Sequence, residues 1–334
     1  MNTLTELSFG IEFLPAKKVA KIVDNSKLAE EVGVEYIWVT DHYNNRNVYA
    51  TLAAIAYNTS KVKIGTGVTN PYVVNPCWTA AAIATIHEIS GGRAILGIGA
   101  GDKITLESIG IKWEKPLTAV KEAVEIMKKL LAGETVKYDG KWFKVAGARL
   151  NFKVEGKIPI YLGAQAPKML RLAGSIGDGV LINASHPVDF KEAMVHIKEG
   201  LAKRGEEVPF DVVAYTAMSI DSDVKAAKDA VKIVVAFIVG GAPEAILERH
   251  EIKVEKAKEI GEAIAKGDFG KAMALVDDKM IEEFSVCGTP EMVINRIEEL
   301  RKMGITQVVA GSPIGPKVKE AIKLYGEVIK SFKG

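Results

Sequence analysis

Cysteine and histidine motifs are scarce in this 334-residue sequence. The two cysteines, Cys77 and Cys287, are far apart and form no CxxC pair. Neither a disulfide framework nor a thiolate zinc site is therefore expected, and a reducing cytoplasm is the expected location. The five histidines form no HxH or HExxH motif, so we predict no metal site.

Long apolar runs and an excess of one charge are also missing. No run reaches about 18 uninterrupted apolar residues, and the first residues lack the regions of a signal peptide, so no membrane partner is expected. The 44 basic and 42 acidic residues leave a net charge of +2, so we expect no nucleic acid partner. The chain does contain 48% hydrophobic residues and 31 glycines, which indicates a globular protein with a large core.

Short β-branched apolar runs alternate with longer segments whose apolar residues recur every three or four positions. This alternation is typical of βα units around a parallel sheet. Strands are predicted at residues 8–14, 36–40, 62–69, 94–100, 158–164, 179–183, 210–220 and 305–310. A helical pattern follows each strand, so the predicted fold class is α/β, a closed (β/α)8 TIM barrel. An open doubly wound sheet is the alternative.

The chain is longer than a (β/α)8 barrel requires, so we predict a single domain, 1–334, with two insertions. The first, at about 101–157, contains a predicted hairpin at 136–145. The second, at about 223–286, has a helical pattern and precedes the eighth strand. Four of its apolar residues form a stripe: Ile233, Val234, Phe237 and Ile238. This stripe could be an interface between copies, in line with an expected homo-oligomer, or it could pack on the chain's own barrel.

Glu12 is the sharpest catalytic candidate, because barrel enzymes place their sites at the carboxyl ends of the strands. It lies in the first predicted strand between Ile11 and Phe13. Burial in such a strand should raise its pKa and let it hold a proton near neutral pH, which a general acid requires. The alternative is a structural ion pair with a core Arg, Lys or His.

Other polar residues also follow predicted strands. Asp102 ends the GIGAG run and could project into a cavity or cap a helix. Thr40, Asp41 and His42 end the second strand and could line the same cavity or form a capped surface loop.

Glycine-rich segments mark several strand ends. Those in GTGVTNP indicate a bulge or a close approach to a flat ligand, or else dense packing of a helix on the strand. The segments LGAQAPKM and IGDGV could offer backbone N–H groups to a phosphate, or could be ordinary turns.

Several segments, taken together and in order, carry a family resemblance. They are SFGIEFLP, WVTDHYNNRNVY, GTGVTNPY, EISGGRAILGIGAGDK, LGAQAPKML and GDGVLINAS. This series closely resembles the methylenetetrahydromethanopterin reductases of methanogenic archaea, a family within the bacterial-luciferase-like superfamily. The resemblance is dense from residue 8 to about residue 190 and looser beyond it.

The resemblance implies reversible hydride transfer from reduced coenzyme F420, a deazaflavin, to N5,N10-methylenetetrahydromethanopterin, in methanogenesis from CO2. It implies a cis peptide at Gly67–Val68 behind the deazaflavin ring, and Glu12 and Asp102 for proton donation and substrate positioning. The residues that it implies for the coenzyme are Thr40, Asp41, His42, Gly67, Val68, Gly99, Gly163, Ala164, Gln165, Gly179, Val180 and Asn183. Ala100 departs from the family pattern, in which proline is expected.

Three other functions remain open at this point. Another F420-dependent member, such as a secondary-alcohol or sugar-phosphate dehydrogenase, would use the same coenzyme residues with a His or Asp base, and Glu12 argues against it. A flavin monooxygenase is a second alternative. A catalytically dead barrel acting as a binding or subunit protein would need no glutamate on the first strand.

Overall fold

The computed structural model describes residues 6–205 and 207–334. The predicted domain also includes residues 1–5 and 206, which lie outside the described residues, and its being one domain stays a prediction. The strands are β1 (Ser8–Phe13), β2 (Tyr36–Val39), β3 (Lys63–Thr66), β4 (Ala94–Ile98), β5 (Val136–Asp139), β6 (Lys144–Ala148), β7 (Ile160–Gly163), β8 (Gly179–Ile182), β9 (Asp211–Ile220), β10 (Val286–Gly288) and β11 (Gln307–Ile314).

Helices follow the barrel strands and fill most of the second insertion. They are α1 (Val19–Glu31), α2 (Val48–Asn58), α3 (Pro76–Ile89), α4 (Lys103–Ser108), α5 (Pro116–Leu131), α6 (Pro167–Ile176), α7 (Pro187–Leu201), α8 (Val224–Gly241), α9 (Glu244–Arg249), α10 (Val254–Ala265), α11 (Phe269–Leu275), α12 (Asp278–Phe284), α13 (Pro290–Lys302) and α14 (Val318–Lys333). Of these described helices, none is both long enough and apolar enough to cross a membrane.

Parallel strands close into a barrel in the order β1, β2, β3, β4, β7, β8, β9 and β11, and β11 pairs with β1. The predicted (β/α)8 barrel is confirmed, and the open sheet is excluded. The sequence analysis missed β10, a three-residue strand that pairs with the end of β9. A strand this short is too brief to show an alternating pattern.

Alternate residues of the strands face the barrel interior and the surrounding helices. In β2, Trp38 fills the interior, where its indole Nε1 donates to the side-chain Oε1 of Gln307 at 3.0 Å. Its neighbours Ile37 and Val39 are fully buried in the cluster between strands and helices. Burial on both faces explains why the barrel strands read as continuous apolar runs.

The second insertion forms five helices, α8 to α12, around an apolar cluster of its own. One face of α8 supplies Val231, Val235 and Val239 to that cluster, and all three are fully buried. The predicted helical character of this insertion is confirmed.

The predicted hairpin is confirmed as β5 and β6, and a glutamate on α5 holds its turn. The Glu122 carboxylate accepts backbone hydrogen bonds from Lys141 at 2.8 Å and from Trp142 and Phe143 at 2.9 Å. Burial alone would raise the pKa of Glu122, but these donors outweigh it and lower the pKa below its usual 4.5. The turn then places Trp142 edge-on against Tyr72, with ring centres 5.5 Å apart.

Replacing Glu122 by Gln should lower the free energy of unfolding by about 1–3 kcal/mol, because it removes a carboxylate acceptor from three partly buried N–H groups. Because folding lowers the pKa of Glu122, its contribution is present above the unfolded pKa and is lost as the pH falls through the folded pKa. Urea unfolding at pH 7 and pH 3 measures both effects. Glu134→Gln, at an exposed position just beyond α5, is the control and should change stability by less than about 0.5 kcal/mol. Equal stability of Glu122→Gln and wild type at pH 7 would contradict this account.

Candidate active site

A large cavity of about 1160 Å³ opens at the carboxyl ends of the barrel strands. Its walls come from the strand ends and the loops after them, from α2, α3 and α4, and from α8 in the second insertion. All the predicted site residues except two line it. They are Glu12, Thr40, Asp41, His42, Gly67, Val68, Gly99, Asp102, Gly163, Ala164, Gln165 and Asn183.

Gly179 and Val180 lie elsewhere, so their predicted contact with the coenzyme is corrected. Gly179 begins β8, and the amino ends of barrel strands lie on the face opposite the site. A Cβ at Gly179 would lie 2.9 Å from a ring carbon of Tyr161 and 3.0 Å from the carbonyl oxygen of Asp211. Close packing therefore requires this glycine, and Val180 is fully buried in the core between strands and helices.

Glu12 lies on the cavity floor near the end of β1. Its Oε2 accepts a hydrogen bond from the backbone N–H of Ser312 at 3.1 Å. Burial raises the pKa of Glu12 to about 7, and the Ser312 N–H lowers it by a smaller amount. No Lys, Arg or His among residues 6–205 and 207–334 forms an ion pair with Glu12. The carboxyl group can therefore hold a proton near pH 7, and the structure does not support the ion-pair alternative.

The third strand ends in a bulge at Gly67–Val68, whose peptide bond is cis, as the resemblance predicted. The hydroxyl of Tyr215 donates to the carbonyl oxygen of Gly67 at 3.3 Å. A Cβ at Gly67 would come within 2.5 Å of that hydroxyl, and Cβ atoms at Gly99 and Gly163 would lie 3.0 and 3.2 Å from a methyl carbon of Val68. The missing side chains at these glycines therefore leave space for the Gly67–Val68 bulge, and the bulge forms part of the cavity floor.

The second strand presents three polar residues with different environments. Thr40 is buried, and its hydroxyl has no hydrogen-bond partner among the described residues. Asp41 accepts a hydrogen bond from the Thr69 hydroxyl at 2.7 Å, and burial raises its pKa, although Thr69 and His42 act in the other direction. His42 is exposed at the rim.

Asp102 lines the cavity wall, but its carboxylate is already engaged. Its Oδ1 accepts a hydrogen bond from the backbone N–H of Thr105 at 2.7 Å and caps α4, so the capping interpretation is confirmed. The indole of Trp113 donates to the carbonyl of Ala100 at 2.8 Å, which holds this loop without a proline. A catalytic role of Asp102 stays a prediction.

The sequence analysis missed several lining residues. Tyr215 and Ser312 come from β9 and β11, and the apolar side chains of Val234, Phe237 and Ile238 come from α8. The sequence predicts this α8 stripe either at an interface between copies or against the chain's own barrel, and in the structure Val234, Phe237 and Ile238 line the cavity. An apolar stripe shows that a helix has a covered face, but it does not show what covers that face.

A second polar cluster ties the insertion to α7. His186, His250 and Glu283 place possible metal ligands within 4.8 Å of one another. His250 contacts the carboxylate of Glu283 through Nδ1 at 2.7 Å and that of Asp189 through Nε2 at 3.1 Å. Burial alone would lower the pKa of His250, but the two carboxylates raise it. An imidazolium that donates from both nitrogens has no lone pair for a metal, so the geometry supports an ion-pair cluster.

Comparison with known proteins places this site in a family. The luciferase-like monooxygenase family model matches residues 6–307. The 5,10-methylenetetrahydromethanopterin reductase of Archaeoglobus fulgidus is 56% identical over 98% of this chain and 100% of that protein. The reductase of the same name from Methanolobus tindarius is 53% identical over 97% of this chain and 99% of that protein.

A solved structure shows the same similarity. The coenzyme F420 dependent tetrahydromethanopterin reductase of Methanopyrus kandleri superposes with a TM-score of 0.94 and 49% identity, over 98% of this chain and 99% of that chain. The chain therefore belongs to the luciferase-like family and, within it, to the 5,10-methylenetetrahydromethanopterin reductases.

Proposed function

We propose that this chain uses reduced coenzyme F420 to convert N5,N10-methylenetetrahydromethanopterin reversibly to the N5-methyl form, in methanogenesis from CO2. The names of relatives that are 53–56% identical over nearly the whole chain support this activity. The structural observation that carries it is Glu12, a carboxyl group whose pKa is about 7 on the floor of the cavity.

The described residues fit the coenzyme. The cavity volume of about 1160 Å³ exceeds the 300–1,000 Å³ of ordinary ligand sites and leaves room for a coenzyme and a substrate together. The bulge at Gly67–Val68 offers backbone for a flat ring to lie against, and the unpartnered Thr40 hydroxyl offers a hydrogen bond. We assign the coenzyme to these residues and to the neighbouring strand ends.

We assign a separate chemical role to the coenzyme and to each of two residues of the chain. When bound, reduced F420 supplies a hydride from its deazaflavin ring. Protonated Glu12 donates its proton to N10 of the substrate, which opens the five-membered ring and leaves a positive charge at the methylene carbon and N5. To the carboxylate of Asp102, on the cavity wall, we assign the role of favouring that positive charge.

We also propose a cytoplasmic location and a homo-oligomer. Cys77 and Cys287 are both free thiols, in agreement with a reducing compartment. Tyr57 and Val195 are large apolar side chains, 76% and 54% exposed, that lie outside the cavity lining and are available for contacts between copies.

A direct test of the activity mixes the protein anaerobically with reduced F420 and the methylene substrate and follows the absorbance of oxidised F420. Oxidation that depends on both protein and substrate is expected. If no oxidation occurs while circular dichroism shows the protein folded, the proposed function is wrong.

Glu12→Gln should bind the coenzyme normally but lose at least about a hundredfold in kcat, because it cannot donate the proton. Stability provides a control. Folding raises the pKa of Glu12, so burial of the ionised carboxylate costs stability as the pH rises from 4.5 to 7. The variant should therefore melt at least as high as wild type at pH 8. Near-normal turnover would exclude Glu12 as the acid.

The reducing direction should slow down in alkali. Because Glu12 must be protonated and its pKa is about 7, kcat/KM should fall about tenfold per pH unit above pH 7. The reverse reaction needs the carboxylate, so its rate should rise up to about pH 7 and level off above it. Initial rates in both directions between pH 5.5 and 9 measure this, and parallel profiles would contradict the assignment.

Thr40→Val should raise the coenzyme Kd about three- to tenfold, the effect of one lost hydrogen bond. The free protein should melt at the same or a higher temperature, because a buried unpartnered hydroxyl is removed. Thr66→Val is the matched control, since that buried hydroxyl is bonded to both the N–H and the carbonyl of Gly97, and it should melt lower. Unchanged coenzyme affinity in Thr40→Val would remove Thr40 from the coenzyme site.

A further inference from the structure

Helix α8 has two apolar faces with different surroundings. One face is buried in the core of the insertion. The other turns Val234, Phe237 and Ile238 toward the cavity. Phe237 is 50% exposed, and its ring lies 6.0 Å from that of Phe269, which is 47% exposed. A pair of half-exposed rings at the edge of a ligand cavity leaves apolar surface that a bound ligand can cover.

Two parts of the cavity wall differ in character, the strand ends and α8, and Trp78 and Trp113 add further aromatic surface between other elements. The strand-end side carries the bulge, the glycines and the polar side chains that fit the coenzyme. The α8 side offers hydrocarbon and an aromatic ring. Since the cavity is larger than one ordinary ligand requires, a second ligand has room against α8.

The charged side chains that line the cavity restrict which chemical groups the second ligand can place against α8. The acidic side chains that line the cavity are Glu12, Asp41 and Asp102, and no Lys or Arg of the described chain lines it. An anionic group placed inside would have no Lys or Arg of the described chain to balance its desolvation. The α8 side therefore suits an uncharged, flat group, with any anionic tail outside the mouth.

We propose that Val234, Phe237 and Ile238 form the subsite for the flat, uncharged aromatic part of the one-carbon carrier, with Phe237 stacking on that ring and Phe269 supporting Phe237 from behind. This subsite rests on the proposed function, and it makes Phe237 a specificity-determining residue of the reaction. It also gives the second insertion a role in substrate binding that the barrel does not supply.

Phe237→Ala should raise KM for the methylene substrate about tenfold, the order expected for a lost aromatic stack. The coenzyme Kd, followed by F420 fluorescence, should stay within about twofold because the coenzyme lies on the other side. Phe237→Tyr keeps the ring and should remain near wild type. Phe152→Ala is the matched control, because Phe152 is 40% exposed but does not line the cavity, and it should change neither constant.

Two further variants keep the test decisive if Phe237→Ala folds poorly. Phe237→Leu keeps the apolar volume without a flat ring and should still raise KM about threefold or more. Phe269→Ala should raise KM less than Phe237→Ala does, because Phe269 acts through Phe237.

The failures of the two proposals are distinguishable. A wild-type protein that does not oxidise F420 with this substrate contradicts the proposed function itself. An active wild type whose Phe237→Ala and Phe237→Leu variants keep a normal KM overturns the subsite alone. An equal loss of coenzyme affinity in these variants would also overturn it, because α8 would then belong to the coenzyme side.

Discussion

The packing of Val68 between two glycine-bearing strands is the contact on which the site depends. Its side chain fills the space left by the missing Cβ atoms of Gly99 and Gly163, while Tyr215 holds the Gly67 carbonyl. Interiors at crystal-like density accept little added volume, so an alanine at either glycine would displace the bulge. The floor of the cavity is thus shaped by close packing inside the barrel, and the flat surface offered to the coenzyme is a consequence of that packing.

The same barrel interior also determines the pKa of the Glu12 carboxyl group. The apolar barrel raises the pKa of its carboxyl group to about 7, and one N–H from Ser312 keeps the group oriented. A cationic partner would have lowered that pKa and left a carboxylate unable to donate a proton. Because Glu12 has no cationic partner, its ionised carboxylate lowers the free energy of unfolding above neutral pH. This loss of stability is the local cost of a buried group that is to serve as an acid.

The second insertion lines part of the cavity, and an ion-pair cluster of its own holds it in place. The His250 cluster joins α9 and α12 to α7, whose preceding loop carries the cavity residue Asn183. With this anchor and its own apolar core, α8 can turn three apolar side chains into the cavity. If the proposed subsite is correct, the insertion adds substrate contacts that the strand ends of the barrel do not supply.

The sequence alone determined the alternation of strands and helices, both insertions and the location of Glu12, because burial patterns and strand ends are local properties. Of the fourteen site residues predicted within the first 190 residues, all but Gly179 and Val180 line the cavity. Gly179 and Val180 were assigned to the coenzyme from the resemblance, although the predicted strand begins at Gly179 and the amino ends of barrel strands lie on the face opposite the site. The cap made by Asp102 is local, since its partner Thr105 lies three residues further on. The isolation of Glu12 and the orientation of α8 were decided by the tertiary structure, because each depends on neighbours distant in sequence.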